Sequence, residues 1–152
     1  MKREERLRLS WIEAYRELQD AGAVCRRFGV SRPTLRKWLR RFAAQLALQS
    51  GQPLQARDHL RPLLAANAGD PQLLQLLLMA WQRLGRDDEA RSELDAVLAE
   101  HDQLHNLWLA RLSVEGVGSE GAVAVGERWL AAMPAHLPAL ETRMRLHDMT
   151  GE

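Results

Sequence analysis

Apolar residues recur every three or four positions along most of the chain, which is the spacing of helices that bury one face. The first such stripe comprises Trp11, Ile12, Tyr15 and Leu18, and a longer one comprises Leu35, Trp38, Leu39, Phe42 and Leu46. Ser10 with Glu13 three residues later has the pattern of a capping box, so we predict that the first helix begins there. The pattern therefore predicts a protein built from helices.

Between these two stripes the sequence GAVCRRFGVSRP predicts a short helix, a tight turn and a new helix start. Gly29 stands where such a turn needs a residue that tolerates positive φ, and Val30 follows as an apolar plug. Ser31 can cap the next helix, and Pro33 lies in its first turn, where a missing N–H costs nothing. Three helices joined in this way are typical of a helix-turn-helix.

The segment WIEAYRELQDAGAVCRRFGVSRPTLRKWLRRF resembles the N-terminal helix-turn-helix of insertion-sequence transposases and related integrases, which is homeodomain-like. The resemblance covers roughly residues 7 to 42 and implies that the third helix binds double-stranded DNA. It implies base-edge readers among Ser31, Arg32, Thr34, Arg36 and Lys37. Arg40 and Arg41 lie further along the helix, so we expect them, with Lys37, to meet phosphates. The alternative is that this basic helix only presents a solvated face.

Charge divides the chain in the same place. Residues 1–42 hold 12 Lys or Arg against 5 Asp or Glu, whereas the other 110 residues hold 9 against 15. A basic segment is what a phosphate-binding surface requires, and an acidic one would be repelled by DNA. We therefore expect the N-terminal third to face DNA and the remainder to face away from it.

A repeat of 34 residues occupies the acidic part. Aligning SGQPLQARDHLRPLL with LGRDDEARSELDAVL places Gly51 over Gly85 and Ala56 over Ala90, and it also pairs Leu60 with Leu94 and Leu64 with Leu98. This period indicates stacked helical hairpins, in which glycine ends one helix and alanine lets the next approach closely. A third, less regular unit and a last helix at residues 137–150 follow, and Gly151 falls where a fourth helix-ending glycine belongs.

The repeats resemble tetratricopeptide repeats over roughly residues 37 to 152. The resemblance implies an inward groove that binds a protein or peptide, and in the second unit this groove would present Gln72, Gln75, Met79, Gln82 and Arg83. It also places Trp81 in the repeat core, and the earlier stripe places Trp38 in the core of the first domain. The last helix is either a solvating cap or the beginning of further repeats.

Counting back from Gly51 starts the first repeat helix near residue 37, inside the recognition helix of the first domain. Residues 34–50 contain neither Gly nor Pro, so we predict one continuous helix from about Arg32 to about Ser50. The predicted fold is all-α: a trihelical helix-turn-helix domain (1–42) that continues through a shared helix into a short tetratricopeptide-like solenoid (43–152).

Other candidate chemistry is weak. His101 and His105 are four residues apart, but they lack carboxylate or thiolate companions at ligand spacing, so we expect solvated loop histidines and no metal site. Cys25 is expected to be a buried, unreactive thiol. No phosphate loop, nucleophile elbow or spaced carboxylate set is visible, so we expect neither an enzyme nor a cofactor. No apolar run approaches a membrane span, and we expect a cytoplasmic, bacterial protein that is nucleoid-associated if it binds DNA.

Three functions fit these observations. The first is a DNA-binding transcriptional regulator or mobile-element accessory protein whose repeats recruit a partner or form a homodimer. The second is a protein-protein adaptor in which the helix-turn-helix is only a structural cap. The third is the DNA-targeting subunit of an enzyme supplied in trans. The sequence does not reveal the target DNA, the partner, the oligomeric state or the sign of any regulation.

Overall fold

The computed structural model describes residues 2–116 and 118–151. The described residues form α1 (Arg3–Leu18), α2 (Ala21–Phe28), α3 (Arg32–Gln49), α4 (Pro53–Leu64), α5 (Pro71–Leu84), α6 (Asp87–Glu100), α7 (His105–Ser113), α8 (Glu120–Ala132) and α9 (Leu137–Thr150). Across these two ranges no residue is in a strand, so the predicted all-α fold is confirmed. Helices α1 to α3 form the helix-turn-helix, and α4 to α9 continue the helical hairpins.

The turn between α2 and α3 has the predicted geometry. Gly29 adopts a φ of 63°, in the left-handed region that residues with a Cβ avoid. Val30 packs against the core of the first three helices. The hydroxyl of Ser31 accepts a hydrogen bond from the backbone N–H of Thr34 at 3.3 Å, so it caps α3 as expected.

The beginning of the first helix was predicted wrongly. Helix α1 starts at Arg3, and the Glu5 carboxylate accepts a hydrogen bond from the backbone N–H of Lys2 at 3.0 Å. Ser10 lies in the middle of α1, where its hydroxyl donates to the Arg6 carbonyl at 2.9 Å. A serine at that distance from a glutamate satisfies the capping pattern equally well inside a helix, because its hydroxyl can bond to the preceding turn.

The helix-turn-helix has a small core of its own. Ala14, Val24 and Leu35 are buried at its centre, one from each of the three helices. Cys25 packs at the margin of this core and is half-buried, not fully buried as expected. Trp38 is also half-buried, because it lies beyond this core with the Arg8 guanidinium 3.7 Å from the centre of its ring. Trp38 is therefore not the core residue that the stripe predicted.

Helix α3 runs unbroken from Arg32 to Gln49 and buries two opposite faces. Its first half packs Leu35 and Leu39 against α1 and α2, and its second half buries Ala44, Ala47 and Leu48 in the repeat core. Leu35 and Ala44 are nine residues apart, which at about 100° per residue places them about half a turn from each other. The predicted single stripe is therefore wrong at its end, and Leu46 is exposed.

Four glycines in the left-handed region lie in the turns of the repeats, three of them at the ends of α3, α5 and α9 and one just before the Ser119 cap of α8. They are Gly51, Gly85, Gly118 and Gly151, with φ of 71°, 64°, 72° and 76°. Their spacing of 34 and then 33 residues extends the predicted period through the third unit to the last helix. Gly51 and Gly85 let the chain reverse direction, so that α4 and α6 can pack back against α3 and α5.

The repeat core contains the aligned small and large residues. Ala56 and Ala90 are fully buried, as are Leu60 and Leu94. Trp81 is 1% exposed, which confirms its predicted place in the core. The matched positions of successive hairpins thus form one continuous apolar interior that runs from the second half of α3 to α9.

His105 differs from the solvated loop residue that the sequence suggested. It is the first residue of α7 and is half-buried, with its Nδ1 atom 3.0 Å from Nε2 of His136. Its ring centre lies 5.3 Å from that of Trp129, a buried residue of α8. His101, by contrast, follows α6 and is exposed, as expected.

Candidate nucleic-acid interface

The predicted DNA-binding residues fall into two groups along α3. Ser31, Arg32, Arg36 and Arg40 are exposed, and Thr34 is half-buried in the first turn. Lys37 is half-buried and Arg41 is buried. The first group is placed where DNA could reach it, whereas the second is turned toward the repeats.

Arg32, Arg36 and Arg40 form an arginine row, because residues four apart lie one above another on a helix. The row runs beside the apolar stripe of Leu35, which is buried, and Leu39, which is half-buried, and it faces solvent. Among the ion pairs of the described residues, none involves a member of this row. Three guanidinium groups are therefore available for guanine edges or phosphates.

A further basic residue, which the sequence analysis did not single out, joins the row at its N-terminal end. The Nη1 atom of Arg26 and the Nη2 atom of Arg32 each lie 3.2 Å from the position that a Cβ on Gly22 would occupy. Arg26 belongs to the last turn of α2, and both guanidinium groups thus converge over the first turn of that helix. Its place on α2 next to the tight turn was the only signal in the sequence.

The hydroxyls at the start of α3 are already engaged with each other. Ser31 Oγ donates to Thr34 Oγ1 at 2.8 Å while it accepts from the Thr34 backbone N–H. This arrangement uses Ser31 to hold the helix end in place. Of the two residues, Thr34 keeps a hydroxyl hydrogen that can still be donated to a base or phosphate.

Arg41 does not have the position that a phosphate contact requires, which corrects the prediction. Its side chain is 5% exposed and pairs with the carboxylate of Asp70, the residue that precedes α5. Lys37 also turns toward this carboxylate, with Nζ 3.8 Å from Oδ2. An acidic partner 29 residues away from Arg41 could not be seen in the local pattern of charges.

Asp70 is held in its charged form by this environment. Burial alone would raise the pKa of its carboxyl group, but the hydrogen bond and attraction from Arg41 outweigh that effect. The backbone N–H groups of Leu73 and Gln72 add to the shift, and the pKa of Asp70 therefore lies below its usual value. A carboxylate beside Lys37 marks the edge of the surface that could approach DNA.

The predicted partner groove is formed in part. Gln75, Met79 and Gln82 line a groove of about 330 Å³ between α5 and α7. The other two predicted residues turn toward α3: Gln72 accepts a hydrogen bond from Arg41 at 3.3 Å, and Arg83 donates to the Leu48 carbonyl at 2.5 Å. The prediction is therefore wrong for Gln72 and Arg83, because they connect the second hairpin to the shared helix.

Within residues 2–116 and 118–151, no group of three or more His, Cys, Asp or Glu side chains is arranged to hold a metal ion. No helix in that part of the chain combines the length and apolar character needed to cross a membrane.

A helix-turn-helix with an exposed arginine row, joined through one helix to stacked hairpins, defines a helix-turn-helix domain fused to a helical repeat domain. Comparison with known families agrees with both parts. Residues 2–51 match the model of a homeodomain-like domain, and residues 47–112 match the model of a tetratricopeptide repeat. The two matches overlap at residues 47–51, at the end of α3. The predicted architecture is thus confirmed.

The homeodomain-like domain indicates DNA binding, and the tetratricopeptide repeats indicate interaction with a protein. No curated protein and no solved structure gives a significant match to the chain.

Proposed function

We propose that the protein is a non-enzymatic, sequence-specific DNA-binding protein, either a transcriptional regulator or a mobile-element accessory factor. The first turns of α3 enter the major groove, as recognition helices of this fold do. The observation that carries the proposal is the exposed arginine row of Arg32, Arg36 and Arg40, because such a row serves no packing role in this domain.

The members of the row have different tasks. Arg32 and Arg36 lie in the first two turns of α3, so they can reach base edges, where a guanidinium donates two hydrogen bonds to one guanine. Arg40 lies a turn further along and meets the phosphate backbone, as Arg26 does from the end of α2. Lys37 contributes less to DNA binding, since the nearby carboxylate of Asp70 partly neutralises its positive charge.

The repeat domain binds a protein partner through the groove between α5 and α7. Gln75 and Gln82 offer amide groups without charge, and Met79 is a flexible apolar contact. This surface suits a neutral or apolar peptide segment, or a second copy of the chain that would place two helix-turn-helix domains on paired half-sites.

One observation favours the adaptor function instead. Arg41 and Lys37, which are two of the basic residues on α3, are directed to Asp70 of the repeats and not to solvent. In an adaptor the helix-turn-helix would serve as a terminal cap of the solenoid, held by this contact. The DNA-targeting subunit of an enzyme in trans would differ from the regulator only in its partner, and co-purification of a catalytic protein would identify it.

Selection of bound duplexes from a random pool, followed by titration of the selected sequence, tests the proposal. Arg36→Ala is expected to weaken binding by about 1–3 kcal/mol and to relax the preference at one base pair. Arg145→Ala is the matched control, because Arg145 is an exposed arginine on α9, far along the chain from the interface. If the protein shows no salt-dependent association with any duplex at about 50 mM salt, the adaptor function replaces this proposal.

A further inference from the structure

A cavity of about 330 Å³ lies between α1, α3 and α5, where the helix-turn-helix meets the repeats. Its apolar lining consists of Leu9, Ile12, Trp38, Phe42 and Leu76. The volume is at the lower end of the range of about 300–1,000 Å³ that is usual for sites of small organic ligands. The cavity is separate from the arginine row and from the groove between α5 and α7.

Arg41, one of the residues that line the cavity, has an unsatisfied donor. The side chain is 5% exposed, and its guanidinium reaches Asp70 through Nη2 and the Gln72 amide through Nη1. The Nε–H donor of the same guanidinium is buried and has no hydrogen-bond partner. Buried donors without an acceptor are rare in folded proteins, so an acceptor supplied from the cavity would complete this group.

A second guanidinium lies on the same aromatic ring. Arg8 of α1 stands 3.7 Å from the centre of the Trp38 ring, and Arg41 stands 4.7 Å from it. Both arginines line the cavity, whereas Glu5 is its only acidic lining residue and already accepts a hydrogen bond from the Lys2 backbone. Within the lining two arginines stand against one glutamate, but Arg41 is also paired with Asp70 and Arg8 with Glu4. The unsatisfied Nε–H and the nearby Arg8, rather than a free net charge, therefore favour an anion with a single negative charge.

We propose that this cavity binds a small monocarboxylate with an apolar body, such as a medium-chain or aryl-substituted carboxylic acid. The carboxylate accepts from Arg41 Nε–H and lies near Arg8, and the apolar body packs on Trp38, Leu9 and Ile12. Glu5 disfavours a dianion, and the apolar walls disfavour a ligand without a hydrocarbon part. Because both α1 and α5 contribute residues to the lining, the ligand bridges the two domains.

Calorimetric titration of the full chain with octanoate and with 3-phenylpropanoate tests the proposal, and no DNA is needed. Octanamide and 3-phenylpropanamide are the matched uncharged probes. We expect the carboxylates to bind and the amides to bind at least tenfold more weakly, since a hydrogen bond to a charged group contributes about tenfold or more. The indole N–H signal of Trp38 in the NMR spectrum, assigned with Trp38→Phe, should shift on titration.

Variants locate the site. Arg41→Lys keeps a positive charge beside Asp70 but removes the Nε–H, and we expect it to reduce carboxylate affinity about tenfold or more. Gln45→Trp should fill the cavity and abolish binding, whereas Gln49→Trp, at an exposed position of α3 outside the lining, should leave it unchanged. Unchanged thermal unfolding curves and far-ultraviolet circular dichroism spectra of the unliganded variants would show that all three remain folded.

A small-molecule carboxylate and the C-terminus of a protein chain are two sources of the same chemical group. An acetylated peptide that ends in a free leucine carboxylate, compared with its amidated counterpart, distinguishes them. Tighter binding of the free acids assigns the site to small molecules, and tighter binding of the peptide assigns it to a chain terminus. If neither carboxylate binds at millimolar concentration, or if Gln45→Trp and Arg41→Lys bind as the unmodified chain does, the proposal is overturned.

Discussion

Asp70 and Arg41 form an ion pair that joins the two domains, and each oxygen of the Asp70 carboxylate has its own task. Oδ1 accepts hydrogen bonds from the backbone N–H groups of Gln72 and Leu73 at 3.0 and 3.3 Å, so it caps α5. Oδ2 accepts a hydrogen bond from Arg41 and lies 3.8 Å from the Nζ atom of Lys37. The same side chain thus begins a repeat helix and holds it against the recognition helix.

The separate tasks of Asp70 allow its charge to be removed without its cap. Asp70→Asn keeps an oxygen that can cap α5, because asparagine is as good a cap as aspartate, but leaves the buried Arg41 without an anion. We expect a loss of about 1–3 kcal/mol in the free energy of unfolding, below the value for fully buried pairs because Asp70 keeps contact with solvent. Urea unfolding would measure it.

Asp148→Asn is the control for this substitution, since Asp148 is exposed on α9 and forms no ion pair among the described residues. It should unfold at the urea concentration of the unmodified chain. Equal stability of the two variants would show that the contact between Arg41 and Asp70 adds nothing to the fold.

The same pair should give a dependence on pH. The pKa of Asp70 is lower in the folded protein than in the unfolded chain, where an aspartate has a pKa of about 3.9. Its contribution is therefore fully present above that value and is lost as the pH falls through the lower, folded pKa. The difference in unfolding free energy between the unmodified chain and Asp70→Asn should stay constant from pH 7 to about pH 4 and shrink below it. A difference that persists unchanged at lower pH would contradict the assignment.

The two tryptophans of neighbouring domains should respond differently to truncation. Trp81 is 1% exposed, and we expect Trp81→Ala to cost about 3–5 kcal/mol. Trp38 is half-buried beside a cavity, so less contact is lost, and we expect Trp38→Ala to cost about 1–3 kcal/mol. Thermal unfolding of both variants under one condition checks the order, and a larger loss for Trp38 would refute the placement of these side chains.

Arg40 should act on DNA without reading its sequence. Because it follows the turns of α3 that we propose read bases, Arg40→Ala is expected to weaken all duplexes alike and to reduce the slope of log affinity against log salt by roughly one unit. Arg41→Ala should change this slope less, since Arg41 is buried against Asp70. Titrations at several salt concentrations measure both slopes, and a larger change for Arg41 would mean that the contact with Asp70 opens on DNA.

Features set by neighbouring residues were predictable from the sequence. Gly29, Ser31 and Pro33 act within one turn of the chain, and the glycines of the repeats recur at a fixed period, so their roles follow from local chemistry. The continuous α3 also followed from the absence of helix breakers between residues 34 and 50.

Features that depend on residues distant in the sequence were not predictable from it. The sequence gives no reason to bury Arg41, because its partner Asp70 lies on another hairpin. The change of buried face along α3 was also hidden, since the second face is made of Ala44 and Ala47, whose small side chains hardly alter a hydrophobic pattern, while Leu46 continues the first stripe but is exposed. Gln72 and Arg83 were assigned to the groove by repeat position alone, and the shared helix draws them away from it.

In the proposed complex the shared helix also fixes the rotational phase between DNA and the repeat domain. With no linker between them, a single residue inserted into α3 between Arg40 and Ala44 would advance the repeats by about 1.5 Å and swing them by about 100° around the helix axis. An insertion of three or four residues would nearly restore the original direction. The chain thus presents its groove at one set azimuth relative to the double helix, so a partner bound there would meet a given face of the DNA.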